Sequence, residues 1–553
     1  MVDLSTSRGS TVAVWSDFCA IAPSPELRGR MLQELERLRG ESDVASLLRP
    51  GGNPRKFGYG DGTIIPAGEF PPGTPHEAIR TAAAHRAPLT GAIRVVVVLA
   101  DFADKPMTES NEHFEKLFFS VGELPNGSVR DYYREVTHGL VDIVGEVIGP
   151  VRMPQKLSWY ANNNYGIGKP SGEARAQILA RDAAVGADPL VNYAPYDNDG
   201  NGFVDAFIVV HSGQGGEATG HRGDLWSHKW VLPSAYNADG ARIYGYLTIP
   251  EDARIGVCAH ELGHLLFGFP DLYDIDGSSE GVGNWCLMGA GSWGGGGDVP
   301  THPSAWCKVQ QGWARAVNVT SDGMLSVPDV KNGFEAFRMW TDGLPGKEYF
   351  LVENRQQTGY DRSLPAPGML IWHIDEARPD NTDEDHYMVG LVQADDQRDL
   401  ESAVNRGDGG DSYPGSTGNS SFTAASKPAS HSYAGAPTGI SVTDISAPSA
   451  TMTAMVSVST AGAVRAPAPA MARRDTEDVP GLVQTIHDLQ DRLAALEQAV
   501  VPWAGAEAYL EQAALRPELR GAAGGPDPLL KAGNGHGGHG GHGGHRHEGP
   551  HHR

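Results

Sequence analysis

Two histidines four residues apart, with a glutamate next to the first, are the side chains of this sequence best spaced for chemistry: His260, Glu261 and His264 in AHELGHLLFGFPDLYD. On a helix such positions share a face, so both imidazoles can reach one tetrahedral cation while the carboxylate stands close enough to take a proton from water on that cation. Zinc held this way acidifies its water and polarises a carbonyl, and Glu261 acts as the base that later hands the proton to a leaving amine. That is the chemistry of peptide-bond hydrolysis. By chance the H-E-x-x-H pattern arises in about one chain in a hundred. Its surroundings strengthen it, because burying these groups among Val257, Leu262, Leu265, Leu266 and Phe267 without a metal would strand polar atoms.

Gly268 and Pro270 end the helical pattern, so the chain can turn back and bring a third ligand to the ion, with Asp271 the first candidate. Tyr273 is a candidate donor to the oxyanion of a tetrahedral intermediate. Downstream, NWCLMGAGSW sets Met288 in a glycine-flanked turn that resembles the methionine turn beneath the zinc of metzincin-like peptidases. The thiol of Cys19, far upstream, is a further candidate as a thiolate cap on the zinc.

A second cation is expected in DNDGNGFVD. Asp197, Asp199, Asn201 and Asp205 take the first, third, fifth and ninth places of an EF-hand-like loop, Gly202 the sixth, and the Phe203 carbonyl the seventh. Ile208 stands at the twelfth place where glutamate would be, so the expectation is a structural Ca2+ loop and not a switch. His211 and His228 lie in apolar, aromatic settings and are read as structural. In the last stretch, His536, His539, His542, His545 and His547 are spaced mostly by glycine, which lets several imidazoles gather around zinc, nickel or copper; a solubilising tail without metal is the alternative.

The elements that must position these groups fall into several segments, as expected for 553 residues, which exceed a single core. Residues 1–88 mix a short helical pattern with Gly- and Pro-rich stretches and read as a pro-segment or adaptor. Residues 89–316 carry the metal motif, begin with a β-branched run (IRVVVVLADF) and continue with an amphipathic helix at SVRDYYRE, which reads as an α+β catalytic domain. Short apolar runs separated by Gly, Asp, Asn and Ser over 317–459 predict an antiparallel β-sandwich. An Ala/Pro linker spans 460–478. A helical, coiled-coil-like segment spans 479–520, its a/d seam at 482–500 open either to self-association or to packing against residues 506–514. The Gly/His tail, 521–553, is expected to be disordered.

A formal charge of −24 opposes nucleic acid and anionic lipid as partners. The four cysteines form no C-x-x-C pair and read as reduced structural thiols. No stretch is apolar for long enough to cross a bilayer, and the N-terminus lacks a basic head followed by an apolar h-region, so no secretory signal is visible.

Taken together, VVVLADFAD, NGSVRDYYREVTHG, DGNGFVDAFIVVHSGQG, HELGH with FPDLYD, CLMGAGSW, HPSAWCKVQQGW, EYFLVENRQ and GMLIWHIDE resemble the immune inhibitor A family of bacterial metallopeptidases, over residues from about 93 to 459. The resemblance implies a zincin-like zinc endopeptidase made as a zymogen, followed by a β-sandwich, with His260, His264 and an aspartate as zinc ligands and protein or peptide substrates. Gly268 and Asp271 each stand one residue later than in the family pattern, which keeps Asp274, Glu280 and His302 open as alternative third ligands. The resemblance also implies export, against the missing signal, so the compartment stays undetermined. The competing expectation is an inactive metal-binding or adhesive protein on a peptidase scaffold; an intact Glu261 argues against it.

Overall fold

The run Val95–Leu99 is apolar at every position, and a strand with no polar face must be covered on both sides. In the computed structural model, which describes residues 19–30, 33, 89–168, 174–344 and 346–459, that run is the wholly buried centre of β2 (Gly91–Asp101). It lies in a six-stranded sheet of order β1-β5-β6-β4-β2-β3, formed with β1 (Cys19–Ala20), β3 (Val141–Arg152), β4 (Phe207–His211), β5 (His228–Ala238) and β6 (Ala241–Pro250). The pairs β3–β2, β2–β4 and β4–β6 are parallel, whereas β6–β5 and β5–β1 are antiparallel. Parallel strands of one sheet are joined by long crossovers, and helices fill the first two. The β2–β3 crossover carries α1 (Asn111–Phe119) and α2 (Val129–Val136), and the β3–β4 crossover carries α3 (Arg175–Ala187). The α+β expectation is therefore refined to a mixed α/β arrangement. Between β5 and β6, Asp239 and Gly240 both adopt positive φ, the two-residue hairpin turn that Asp-Gly favours.

The amphipathic stretch at SVRDYYRE forms α2. Ser128 caps it by accepting from the Asp131 amide, and Val129, Tyr132, Tyr133 and Val136 form its buried face. The Tyr133 hydroxyl donates to the Ala259 carbonyl at 2.6 Å, which ties α2 to the next helix, α4 (Ile255–Phe267).

From residue 315 onward two smaller sheets appear. One has the order β12-β11-β10-β9-β7: β12 (Val389–Leu391), β11 (Gly368–Asp375), β10 (Glu348–Arg355), β9 (Glu335–Met339) and β7 (Arg315–Asn318). The other has the order β13-β14-β8: β13 (Ser441–Thr443), β14 (Thr451–Ser457) and β8 (Gly323–Pro328). Phe337, Phe350 and Ile371 of the first share an apolar cluster with Val327, Val442 and Met452 of the second. The expectation of purely antiparallel pairing needs one correction. β7 joins β9 in parallel, which is open to it because β8 and the turn after it separate the two strands along the chain. The linker, the helical segment and the His-rich tail lie outside the described residues, as does most of residues 1–88.

Candidate active site

Helix α4, IGVCAHELGHLLF, is buried at all thirteen positions, as befits a helix that is apolar nearly all round. It stops at Gly268, whose φ of 65° is the left-handed conformation that glycine takes readily, and whose amide returns to the Gly263 and His264 carbonyls. The reversal carries Asp271 back beneath the helix.

Both histidines are fixed through Nδ1. His260 donates to the Leu287 carbonyl at 3.0 Å and His264 to the Phe269 carbonyl at 2.5 Å. A carbonyl can only accept, so each ring carries its proton on Nδ1 and turns a bare Nε2 inward. The two Nε2 atoms lie 3.0 Å apart, and Asp271 Oδ1 lies 3.2 Å from one and 3.1 Å from the other. Three lone-pair donors thus converge in a buried space, and Asp271 Oδ1 has no hydrogen-bond donor of its own. Without a cation such an arrangement is repulsive and orphaned; two imidazoles and a carboxylate are a donor set that suits zinc. The backbone carbonyls behind the rings are the outer partners that fix ring orientation in metal sites. Burial holds the His264 imidazole below its ordinary range, which favours the neutral, ligating form.

Glu261 is fully buried, and neither carboxylate oxygen has a hydrogen-bond partner. Burial, reinforced by the Asp271 charge, pushes it well above the usual carboxylate range. A divalent cation beside it would act in the opposite direction. Met288 lies directly under the helix: a Cβ placed on Gly263 would sit 2.9 Å from its sulfur. The Leu272 amide donates to the Met288 carbonyl at 2.8 Å, so the turn also supports the strand-like return that bears Asp271. The Tyr273 hydroxyl donates to the Ala20 carbonyl, and its ring stacks near that of His260 at 6.5 Å.

The alternative third ligands are engaged elsewhere. Asp274 accepts from Ser278 and Ser279, Glu280 pairs with Arg28 and Arg406, and His302 bridges Glu135 and Lys308. In the acidic loop, Asp197, Asp199 and Asp205 bring carboxylate oxygens within 4.8 Å of one another. The Asn201 backbone N–H donates to Asp197 at 3.0 Å, its side-chain amide donates to Asp199 at 3.1 Å, and its side-chain oxygen accepts from the Phe203 backbone N–H at 2.8 Å. His211 and His228 are buried, with burial pulling each down to about 4, and His228 bonds the Trp226 carbonyl and the Tyr246 hydroxyl. The tail histidines lie outside the described residues.

Two further groups carry no local signal in the sequence. Asp395, Asp408 and Asp411 also converge within 4.8 Å, with oxygens taken up by Gln397, Gly410 and Trp285. The other is a buried charge network of Glu135, His302, Lys308, Arg355 and Asp361, whose members are too scattered along the chain to be seen as a unit.

Helix-borne histidines, a returning aspartate, a buried glutamate and a methionine beneath the helix are the kinds of part from which metallopeptidase sites are built. Comparison with known proteins agrees: residues 94–318 match the immune inhibitor A peptidase M6 catalytic domain. The pre-pro-metalloprotease PrtV of Vibrio cholerae serotype O1 is 31% identical over 271 residues, 39% of this chain and 29% of that protein. Immune inhibitor A of Bacillus thuringiensis subsp. alesti is 29% identical over 286 residues, 41% of each chain. The chain therefore spans well under half the length of these relatives.

Proposed function

We propose that the protein is a zinc-dependent endopeptidase, with His260, His264 and Asp271 as zinc ligands and Glu261 as general base. The observation that carries this reading is the convergence of three buried lone-pair donors at 3.0 to 3.2 Å beside a glutamate without hydrogen-bond partners. When bound, zinc supplies a Lewis acid for the scissile carbonyl and an acidified water. Glu261 takes the proton of the attacking water and returns it to the leaving amine. Tyr273, whose hydroxyl already donates to a peptide carbonyl, is positioned to donate to the oxyanion. Residues 89–316 form the catalytic domain, and the core shared by the two smaller sheets supports a sandwich over 317–459. Asp197, Asp199, Asn201, Asp205 and the Phe203 carbonyl hold a structural calcium ion.

The test is hydrolysis of casein by protein freed of its N-terminal segment, with metal content measured in parallel. Glu261→Ala should keep one zinc and lose activity by about 10²-fold or more, and a chelator should abolish activity reversibly. Zinc-loaded protein that cleaves nothing would instead favour an inactive binding scaffold.

A further inference from the structure

Within the N-terminal segment, the described residues begin at Cys19, whose thiol faces the candidate metal centre. Sγ of Cys19, a ring nitrogen of His264 and a carboxylate oxygen of Asp271 all lie within 4.8 Å of one another. We propose that Cys19 is a fourth zinc ligand and that residues 19–28 form an internal inhibitor, keeping the uncleaved chain latent. This rests on the zinc peptidase reading above.

Three observations carry it. The first is the donor set: three protein ligands leave a tetrahedral cation one open place, and that place is where a catalytic site keeps its water. A thiolate there completes the sphere and excludes the water. The Zn–S bond forms as the thiol proton leaves to solvent, with no change of oxidation state. The second is the buried, partnerless Asp271 Oδ1 in the same cluster, a polar atom aimed at the point that Sγ faces. A cysteine buried merely as an apolar side chain would have no reason to face a carboxylate and a bare imidazole nitrogen.

The third is the way the segment is held. β1 adds antiparallel to the edge strand β5, Cys19 opposite Lys229 and Ala20 opposite His228, and the Ile21 amide continues the ladder to the Ser227 carbonyl at 3.2 Å. Side chains then grip its backbone: Trp226 donates to the Ile21 carbonyl at 2.8 Å, Trp293 to that of Ala22 at 3.1 Å, and Tyr273 to that of Ala20. Further along, Arg28 is buried in an ion pair with Glu280 at 3.1 Å. Main-chain pairing on a sheet edge with carbonyls held by fixed donors is how an extended peptide is recognised. The segment fills the place of a substrate, and it does so with the one side chain able to seal the metal.

The experiment uses the full-length chain loaded with cobalt(II) in place of zinc, and wild type is compared with Cys19→Ser and Cys19→Ala. The expected result is a near-ultraviolet sulfur-to-cobalt charge-transfer band in wild type that both variants lack. The zinc-loaded uncleaved variants should hydrolyse casein at least about tenfold faster than wild type, since a tethered ligand competes at high effective concentration. One equivalent of cobalt without the band, or variants as latent as wild type, would overturn the Cys19 assignment and leave the peptidase reading standing. A wild-type chain that takes up neither metal would remove both.

Discussion

At the scale of single residues, the telling feature is that His260, His264 and Asp271 direct unprotonated acceptor atoms at one point. Their backbone partners on the far side of each ring leave no other tautomer open. Asp271 is where this assignment is most exposed to test, because it stands one residue later than the family pattern. Asp271→Ala should weaken zinc binding by more than the ~10–100-fold typical of losing an outer partner, with the fold retained by circular dichroism. Full zinc occupancy in that variant at limiting metal would show that another group is the third ligand. The histidine pair and the glutamate were legible in the sequence because one helical turn brings them together. Asp271 was legible as a candidate, since only a short reversal separates it from the helix. That Cys19 faces the same point depends on strand pairing across some two hundred residues, for which local pattern holds no signal.

Elements explain why the helix can sit so close to the loop that serves it. Gly256 and Gly263 are seven residues apart and so lie on one face of α4, where a glycine otherwise costs about 1 kcal/mol relative to alanine. The reason is contact: a Cβ on Gly256 would stand 1.8 Å from the Ser292 carbonyl oxygen, and one on Gly263 would meet the Met288 sulfur at 2.9 Å. Gly256→Ala should therefore lower stability by about 1–3 kcal/mol in urea denaturation, despite its better helix propensity, because the obstacle is backbone. It should also weaken zinc binding, since the displaced segment carries the Leu287 carbonyl that orients His260. Gly263→Ala meets the end of a flexible side chain and should cost less. An unchanged or higher urea midpoint for Gly256→Ala would show that the contact is not needed. The helix, its glycine stop and the buried strand β2 could all be read from local pattern; the glycine face could not, because its partner is a loop thirty residues on. The parallel placement of β7 escaped for a similar reason, as periodicity reveals a strand but not its neighbour.

At the scale of the molecule, Arg355 is among the side chains that link the region of the candidate site to the sheet that follows it. Arg355, on β10, is fully buried; it bonds Asp361 at 2.5 and 2.7 Å and Glu353 at 3.2 Å, and donates to the carbonyls of His302 at 3.3 Å and Trp285 at 3.5 Å. Trp285 opens the turn that ends in Met288, so the arginine braces the floor of the candidate site from the neighbouring sheet. Burial would raise the Asp361 carboxyl, but Arg355 and then His302 hold it well below the usual carboxylate range. His302 is itself pulled down to about 4, chiefly by burial. A carboxyl with a depressed folded-state pKa contributes stability at neutral pH that is lost only as the pH falls through that depressed value. In Arg355→Met the buried Glu353 loses its paired cation and Asp361 is left with Lys331 at 3.3 Å, and the variant should be destabilised by ~3–5 kcal/mol at pH 7. The sign of the pH dependence then follows. Without the guanidinium, Asp361 can be neutralised at higher pH than in the native protein, and His302 can protonate more readily to face Asp361. Both changes relieve the variant as acid is added, so its deficit relative to wild type should shrink from pH 7 towards pH 4. Urea midpoints of the two proteins across that range measure the difference directly. A deficit that stays constant or grows on acidification would mean that Arg355 acts through packing alone and not as the counter-charge of this network.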